Sequence, residues 1–192
     1  MKVVCLLGSP KQDGNSATVA QHFCAAAEKA GATVQTFALN KLNFKGCQGC
    51  MACKTKSEEC VLKDDLKEVL NQVRQADVLV MASPIYLGEV TSPLRAFIER
   101  TYSFFTNDFL TNPNPTRLSP GKKLVFIQTQ GQPNEKLFSD VFSRFEYFFK
   151  RYGYAERQFI RACGVRKPGE VRDRAEVMDL AEKTAQSLMQ GK

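Results

Sequence analysis

The sequence predicts an α/β fold, a doubly wound parallel sheet of five strands with helices on both faces. Apolar segments and amphipathic segments alternate along the chain, which is the order in which parallel strands and their crossover helices occur. Most predicted strands are short apolar runs, as expected for strands that are covered on both faces. The 192 residues, of which 43% are hydrophobic, suit one domain with a sizeable core. We therefore expect residues 1–192 to form a single domain with a cysteine-rich loop at 46–60.

The first strand and the first helix have the clearest boundaries. Residues 2–8 are an apolar run that ends in glycine, which predicts a buried strand. Residues 16–30 are predicted to form a helix, with Asn15 or Ser16 at its cap and Gly31 beyond its end. The polar connection between them then lies where a strand ends and a helix begins.

The later elements follow from periodicity and from helix-terminal signals. In the segment 64–75, apolar residues share one helical face, and two aspartates suit the positive amino terminus of a helix. Pro93 fits the first turn of a helix over 92–105, whereas three prolines and two Asn-Pro steps predict a loop at 107–120. The remaining predicted strands are 33–39, 77–82, 122–130 and 157–162, and the remaining predicted helices are 134–152 and 170–190.

Composition excludes several classes of protein. The formal net charge is +7, but the sequence has no basic-aromatic motif of a DNA- or RNA-binding module, so the charge is interpreted as a solvated basic surface. No apolar run approaches the roughly 18 residues that a membrane-spanning helix needs. The apolar amino-terminal run is too short for a secretory signal. We expect a cytoplasmic protein that binds neither nucleic acid nor membrane.

Four of the seven cysteines lie within fourteen residues, at Cys47, Cys50, Cys53 and Cys60. The spacing C-x2-C-x2-C also opens the cluster motif of bacterial ferredoxins. The neighbouring residues are polar, whereas cysteine is usually buried, so a shared ligand is the simplest reason for the crowding. In a reducing compartment a disulfide framework is not expected. The four thiols are therefore candidate ligands of a 4Fe–4S cluster, with a zinc ion or metal-free thiols as the alternatives.

Three loops at the ends of predicted strands indicate a ligand site. The loop 8–16 is rich in Gly, Ser and Asn and can present backbone N–H groups and hydroxyls to an anion. It matches neither the Walker motif nor G-x-G-x-x-G, and it suits a phosphomonoester better than a pyrophosphate. The loop 83–88 is apolar and contains Tyr86, and the loop 129–133 is a polar glycine turn. Because ligands of open α/β sheets bind beyond the carboxyl ends of the strands, the three loops together predict a flat phosphorylated cofactor.

Two of these loops can also be interpreted without a ligand. Loop 8–16 is also compatible with an ordinary strand-to-helix connection, and Tyr86 with packing on the sheet edge. A low-molecular-weight phosphatase is excluded, because its C-x5-R loop would require an arginine where Cys5 is followed by Lys11. The remaining cysteines in the predicted strand and helix, Cys5 and Cys24, are interpreted as small core residues.

These motifs resemble a known family. Gly8-Ser9-Pro10 with Gly14-Asn15-Ser16, the segment 83–88 and the segment 92–100 are similar to the flavodoxin-like NAD(P)H-dependent FMN reductases. The block 46–60, followed by two aspartates, resembles their iron–sulfur flavoprotein branch. The resemblance covers residues 1–105 closely and the remainder only in the order of elements. It implies the strand order 2-1-3-4-5 and FMN, rather than FAD, as cofactor.

The resemblance also implies which residues contact the flavin. The implied contacts with the FMN phosphate are Ser9, Lys11, Asn15 and Ser16. The implied neighbours of the isoalloxazine are Pro84, Ile85, Tyr86, Leu87 and Gly88, with Thr129 and Gly131 on the far side. No side chain is expected to act as acid, base or nucleophile, because the flavin supplies the redox chemistry.

The implied function is electron transfer through FMN and a 4Fe–4S cluster. The donor is expected to be NAD(P)H or a ferredoxin, and no sequence fingerprint distinguishes the two. A clusterless NAD(P)H-dependent FMN or quinone reductase is one alternative. A non-enzymatic electron carrier or redox sensor is the other. Family members associate, so a homodimer or homotetramer is expected, with the cysteine loop of one subunit near the flavin of another.

Overall fold

A computed structural model describes residues 1–190 and has the predicted parallel sheet with helices on both faces. The strands are β1 (Lys2–Leu7), β2 (Thr33–Ala38), β3 (Val78–Tyr86), β4 (Glu89–Val90), β5 (Lys122–Gln130) and β6 (Tyr154–Cys163). The α-helices are α1 (Asn15–Lys29), α2 (Ala52–Thr55), α3 (Leu66–Gln75), α4 (Ser92–Arg100), α5 (Val141–Arg151) and α6 (Ala175–Gln190). Short 3₁₀ segments cover Leu39–Lys41, Thr101–Phe104 and Glu170–Asp173.

The order of the parallel strands across the sheet is β2-β1-β3-β5-β6. These five strands are the five that the sequence predicts, in the expected 2-1-3-4-5 order. The additional strand β4 has two residues and pairs antiparallel with the end of β3. Leu87 and Gly88 form the turn of this hairpin, with φ angles of 50° and 82°. The hairpin was not predicted because the residue before Gly88 is a leucine, whereas two-residue hairpin turns favour Asn, Asp or Gly before the glycine.

Several predicted helix boundaries are corrected by the structure. The fifth helix begins at Val141 rather than at 134, because residues 134–140 form turns in which Phe138 has a φ of 64°. The fourth helix ends at Arg100 and continues only as a 3₁₀ segment. The last helix begins at Ala175, after a separate 3₁₀ segment. At the start of α1 the cap is Gly14, and no side chain caps the helix.

The core lies on both faces of the sheet, and β1 divides its side chains between them. Val4 and Leu6 pack into the layer built from α3, α4 and α5. Val3 and Cys5 pack into the opposite layer, against α1 and α6. Because both faces of β1 are covered, its sequence is an apolar run without polar alternation. In the described part of the chain, no helix combines the length and apolar character that crossing a membrane requires.

Candidate functional site

A cavity of about 260 Å³ lies beyond the carboxyl ends of β1, β3, β5 and β6. Its walls come from the last residues of β3 and β5 and from the loops that follow β1, β5 and β6. The lining residues are Ser9, Lys11, Gly14, Asn15, Pro84, Ile85, Tyr86, Thr129, Gln130, Gly131, Val165, Arg166 and Pro168. Eight of the eleven residues expected at the flavin are among them. Convergence of the strand ends therefore brings together segments that are up to 160 residues apart in sequence.

Three expected site residues lie outside this lining. Ser16 is buried at the first turn of α1, with 1% of its surface exposed. Leu87 is fully exposed at the tip of the β3–β4 hairpin. Gly88 lies beside Phe138, whose ring carbon would be 3.3 Å from an added Cβ. Each of them is next in sequence to a lining residue or to another residue of this set.

The loop after β1 is shaped by a close approach between its two ends. The backbone N–H of Lys11 donates to the hydroxyl of Ser9 at 3.1 Å, and the N–H of Gly14 donates to the carbonyl of Lys11 at 3.2 Å. A Cβ at Gly14 would lie 2.6 Å from the Ser9 hydroxyl oxygen, so a larger residue there would have to displace the Ser9 side chain. The first turn of α1 contains no acidic residue. The free N–H groups of this helix terminus therefore face the cavity with a positive partial charge that an anion can neutralise.

The hydroxyl of Ser16 is the clearest sign of a missing partner. It is buried, and nothing in residues 1–190 hydrogen-bonds to it. Burying a hydroxyl without a partner costs roughly 1–3 kcal/mol, so such groups are uncommon unless a ligand satisfies them. A phosphate at the start of α1 is a suitable acceptor for this O–H. Ser9, Lys11 and Gly14 line the cavity beside this helix terminus, and they fit the phosphate group of FMN.

Asn15 lines the cavity, and its side chain hydrogen-bonds to the segment after β6. Its amide nitrogen donates to the carbonyl of Lys167 at 3.0 Å, and its carbonyl oxygen accepts the N–H of Val171 at 3.0 Å. The side chain therefore fastens the segment after β6 to the start of α1. That segment supplies Arg166 and Pro168 to the cavity wall.

Sequence reasoning missed this fourth loop. Arg166 donates from Nε to the carbonyl of Gly131 at 2.9 Å. The backbone N–H groups of Arg166 and Lys167 both donate to the Glu170 carboxylate, at 2.6 and 2.8 Å. The sequence contains a signal for this loop, because the basic pair Arg166-Lys167 follows the fifth predicted strand. The three loops predicted to form the site also follow predicted strands.

The four clustered cysteines line a second, smaller cavity of about 40 Å³. Cys47 and Cys50 are exposed, whereas Cys53 and Cys60 are half-buried. Between them the chain turns through Gly49 and Met51, whose φ angles are 63° and 57°. Left-handed backbone at a residue other than glycine is uncommon, and it redirects the chain into the short helix α2. The predicted ligand residues therefore share one concave surface.

Buried cations fasten this loop to the rest of the protein. The Lys54 ammonium donates to the carbonyls of Tyr102 and Phe105, at 2.7 and 2.6 Å, and lies 4.2 Å from the centre of the Tyr102 ring. Burial lowers the pKa of Lys54 to about 8. Burial also raises the pKa of the Cys53 thiol, and the Lys54 charge opposes that rise. Arg117 donates to the carbonyl of Cys53 at 2.9 Å.

The thiols are not arranged around a single ion. Within the described residues, no group of three or more His, Cys, Asp or Glu side chains is placed to hold one metal ion. A tetrahedral zinc site would need sulfurs about 2.3 Å from one centre. An iron–sulfur cluster distributes its thiolates over several iron atoms, so its ligands lie farther apart around a shared hollow. All four thiols line one shared cavity, and cysteine sulfur is the donor that an iron–sulfur cluster uses.

Comparison with known proteins places the chain in a family. Residues 1–137 match the family described as NADPH-dependent FMN reductase. An iron–sulfur flavoprotein of Archaeoglobus fulgidus is 29% identical over 173 residues, which cover 90% of this chain and 73% of that protein. An iron–sulfur flavoprotein of Methanocaldococcus jannaschii is 30% identical over 101 residues. That match covers 53% of this chain and 52% of the relative, so only about half of that protein's length is spanned.

A solved structure supports the fold independently. An FMN-dependent NADH-azoreductase from Bacillus anthracis, determined in complex with FMN, superimposes with a TM-score of 0.75 at 20% identity. The superposition covers 99% of this chain and 100% of the azoreductase. At this identity the likeness shows the flavodoxin-like fold alone. The expected membership of an FMN-dependent reductase family of enzymes is confirmed by the family match, and the chain belongs to the NADPH-dependent FMN reductase family.

Proposed function

We propose that this protein is an FMN-dependent oxidoreductase whose four clustered cysteines hold a 4Fe–4S cluster. Its electrons would come from NAD(P)H or a ferredoxin-type donor and pass to an acceptor. The observation that carries the proposal is the presence, on one chain, of a four-cysteine cavity and a separate cavity at the strand ends. Flavin binding uses the second cavity, so the four cysteines call for a separate ligand.

The residues around the cavity at the strand ends have distinct roles in this proposal. The phosphate is bound by the side chains of Ser9 and Lys11, by the Ser16 hydroxyl and by the first N–H groups of α1. Asn15 holds the loop after β6 in position. The segment 84–88 lies along one side of the isoalloxazine, and Thr129, Gly131 and Arg166 border another.

Bound FMN supplies the chemistry of accepting a hydride and releasing single electrons. The chain's own contribution is to orient the ring and to exclude water from it.

At the cysteine loop, Cys47, Cys50, Cys53 and Cys60 would act as thiolate ligands. Four thiolates bring negative charge into a partly buried place, and the cations around the cavity offset it. Lys54 follows Cys53 directly in the sequence and opposes the rise in its pKa, and Arg100 donates from Nε to the sulfur of Cys60 at 3.0 Å. The same cations favour the deprotonated thiols that a metal requires.

The cluster proposal is tested with Cys50→Ala in protein prepared without air. We expect this variant to lose iron and acid-labile sulfide but to keep its flavin, because the two cavities use different loops. Cys163→Ala is the control, since Cys163 is a free, half-buried cysteine that does not line the four-cysteine cavity. Equal iron content in wild type and Cys50→Ala would contradict the assignment of these ligands.

A clusterless FMN or quinone reductase is the second candidate. The observation that favours it is the exposure of Cys47 and Cys50, which leaves half of the ligand set in contact with solvent. Wild-type protein that contains flavin but neither iron nor sulfide would establish this candidate instead. We also propose that the chain forms a homodimer or homotetramer in which the cysteine loop lies near a neighbouring flavin.

A further inference from the structure

Arg100, at the end of α4, has an unusual environment for an arginine. Its side chain is completely buried. The guanidinium donates to both carboxylate oxygens of Asp64, at 2.7 and 3.1 Å, and to the carbonyl of Lys45 at 2.8 Å. Its remaining contact runs from Nε to the sulfur of Cys60, at 3.0 Å. One side chain therefore binds both ends of the cysteine loop, just before Cys47 and at Cys60.

Asp64 completes this clamp. Its carboxylate also accepts the N–H of Lys45, at 3.3 Å. Burial alone would raise the pKa of Asp64, but the hydrogen bonds from Arg100 and Lys45 outweigh burial and lower it. The carboxylate therefore stays ionised and holds the guanidinium in one orientation, with Nε directed at the sulfur.

The contact with Cys60 is informative because of what sulfur accepts. A neutral thiol is a weak hydrogen-bond acceptor, whereas a thiolate accepts strongly from a charged donor. A fully buried guanidinium loses its hydration, so each N–H needs a good acceptor. Other cations beside the cavity donate elsewhere, since Lys54 and Arg117 bind backbone carbonyls. Arg100 is thus placed to act on the ligand atom itself.

We propose that Arg100 is a positioning residue for Cys60, fixing the position of its sulfur and donating an N–H···S hydrogen bond that raises the reduction potential of the iron–sulfur group. This rests on the proposed function, because it requires a cluster on the four cysteines. Hydrogen bonds to ligand sulfurs and nearby positive charge both stabilise the reduced, more negative form of a cluster. Loss of the N–H donor therefore shifts the midpoint potential to a more negative value.

The test compares Arg100→Lys with Arg117→Lys in the flavin- and iron-loaded protein. Both substitutions keep a positive charge, but only the first removes a donor to sulfur. We expect Arg100→Lys to have a more negative cluster potential and less iron per flavin than either wild type or Arg117→Lys. A potential and an iron content in Arg100→Lys equal to those of Arg117→Lys would overturn the proposal.

A second measurement needs no variant that might fail to fold. Wild-type protein labelled with ¹⁵N-arginine is reduced and examined by pulsed electron paramagnetic resonance. We expect a hyperfine coupling between the reduced cluster and an arginine nitrogen, and its absence would overturn the inference about Arg100. Wild type that lacks iron and sulfide altogether would overturn the proposed cluster and this inference together, so the two failures are distinguishable.

Discussion

Ser16 illustrates how one atom can indicate a ligand. Its hydroxyl is buried at the start of α1 without a partner in the described residues, beside a loop closed by the tight approach of Gly14 to Ser9. Without a ligand the hydroxyl is a cost to the folded state. With a phosphate in place it becomes a hydrogen-bond donor to a charged acceptor.

We predict opposite effects of Ser16→Ala on stability and on flavin binding. The flavin-free variant should be as stable as wild type or slightly more stable, because an unsatisfied buried hydroxyl is removed. Its affinity for FMN should fall by roughly 1.5–3 kcal/mol, the usual worth of a hydrogen bond to a charged group. Fluorescence titration with FMN measures the affinity, and exposed Ser143→Ala is the control. Unchanged affinity would mean that the phosphate does not reach Ser16.

Asp64 gives a prediction about pH. Its pKa is lowered in the folded protein, so its ion pair with Arg100 stabilises the fold fully above the unfolded pKa of about 3.9. This stabilisation is lost as pH falls below that value and through the folded pKa. At pH 6, Asp64→Asn should lower the free energy of unfolding by about 3 kcal/mol, because it leaves a buried guanidinium without its counterion.

Urea unfolding of the metal-free protein between pH 6 and pH 3 tests this account. The difference in the free energy of unfolding between wild type and Asp64→Asn should become smaller once pH falls below about 4. Asp179→Asn, on the exposed surface of α6, should match wild type at every pH. A gap that stays constant down to pH 3 would show that the charge of Asp64 is not what stabilises the loop.

At the scale of elements, the β3–β4 hairpin is the least expected feature. Leu87 combines a left-handed backbone with a fully exposed apolar side chain. It follows Tyr86, which lines the cavity at the strand ends. Both properties are unfavourable, since such turns prefer Asn or Gly and exposed leucine gains nothing from burial. Strain of this kind is often kept where a ligand is contacted.

We therefore predict that Leu87→Asn stabilises the flavin-free protein by about 1 kcal/mol and weakens FMN binding. Asparagine adopts positive φ more easily than leucine, and the substitution removes the apolar contact with the isoalloxazine that the family resemblance implies for Leu87. Urea unfolding and FMN titration measure the two effects. Leu110→Asn, at another exposed leucine without positive φ, should change stability by less than about 0.5 kcal/mol. Full retention of FMN affinity in Leu87→Asn would contradict a role at the cofactor.

The elements also show what sequence patterns can and cannot predict. The strands were predictable because their apolar runs are bounded by polar loops, and the loop residues converged because parallel strands end at one edge. The start of α5 was not predictable, since the turns at 134–140 depend on contacts such as Phe138 with Gly88. Asn15 lies at the cavity, but its side chain hydrogen-bonds to Lys167 and Val171. These partners could not be predicted, because they approach Asn15 only in the folded chain.

On the scale of the whole molecule, the α4–α5 surface is suited to association. An apolar cavity of about 320 Å³ lies between these helices, and it is lined in part by Phe145 and Phe148. Tyr147 and Phe148 on α5 are large and exposed. Exposed aromatic groups beside an apolar groove are typical of protein–protein contacts.

We predict a homodimer or homotetramer by light scattering at working concentration. Phe148→Glu should shift the population toward monomer, because it places a charge in the apolar contact. Leu180→Glu is the control, since Leu180 is similarly exposed but lies on α6. Wild type that behaves as a monomer would contradict association, and an oligomer unaffected by Phe148→Glu would move the contact elsewhere.

The most direct test of the central claim is the cofactor content of wild-type protein purified without air. Flavin released by denaturation is identified by chromatography, and iron and acid-labile sulfide are measured on the same sample. The account predicts FMN together with about four iron and about four sulfide atoms per chain. Protein that carries FMN but neither iron nor sulfide, or that carries FAD, would contradict it.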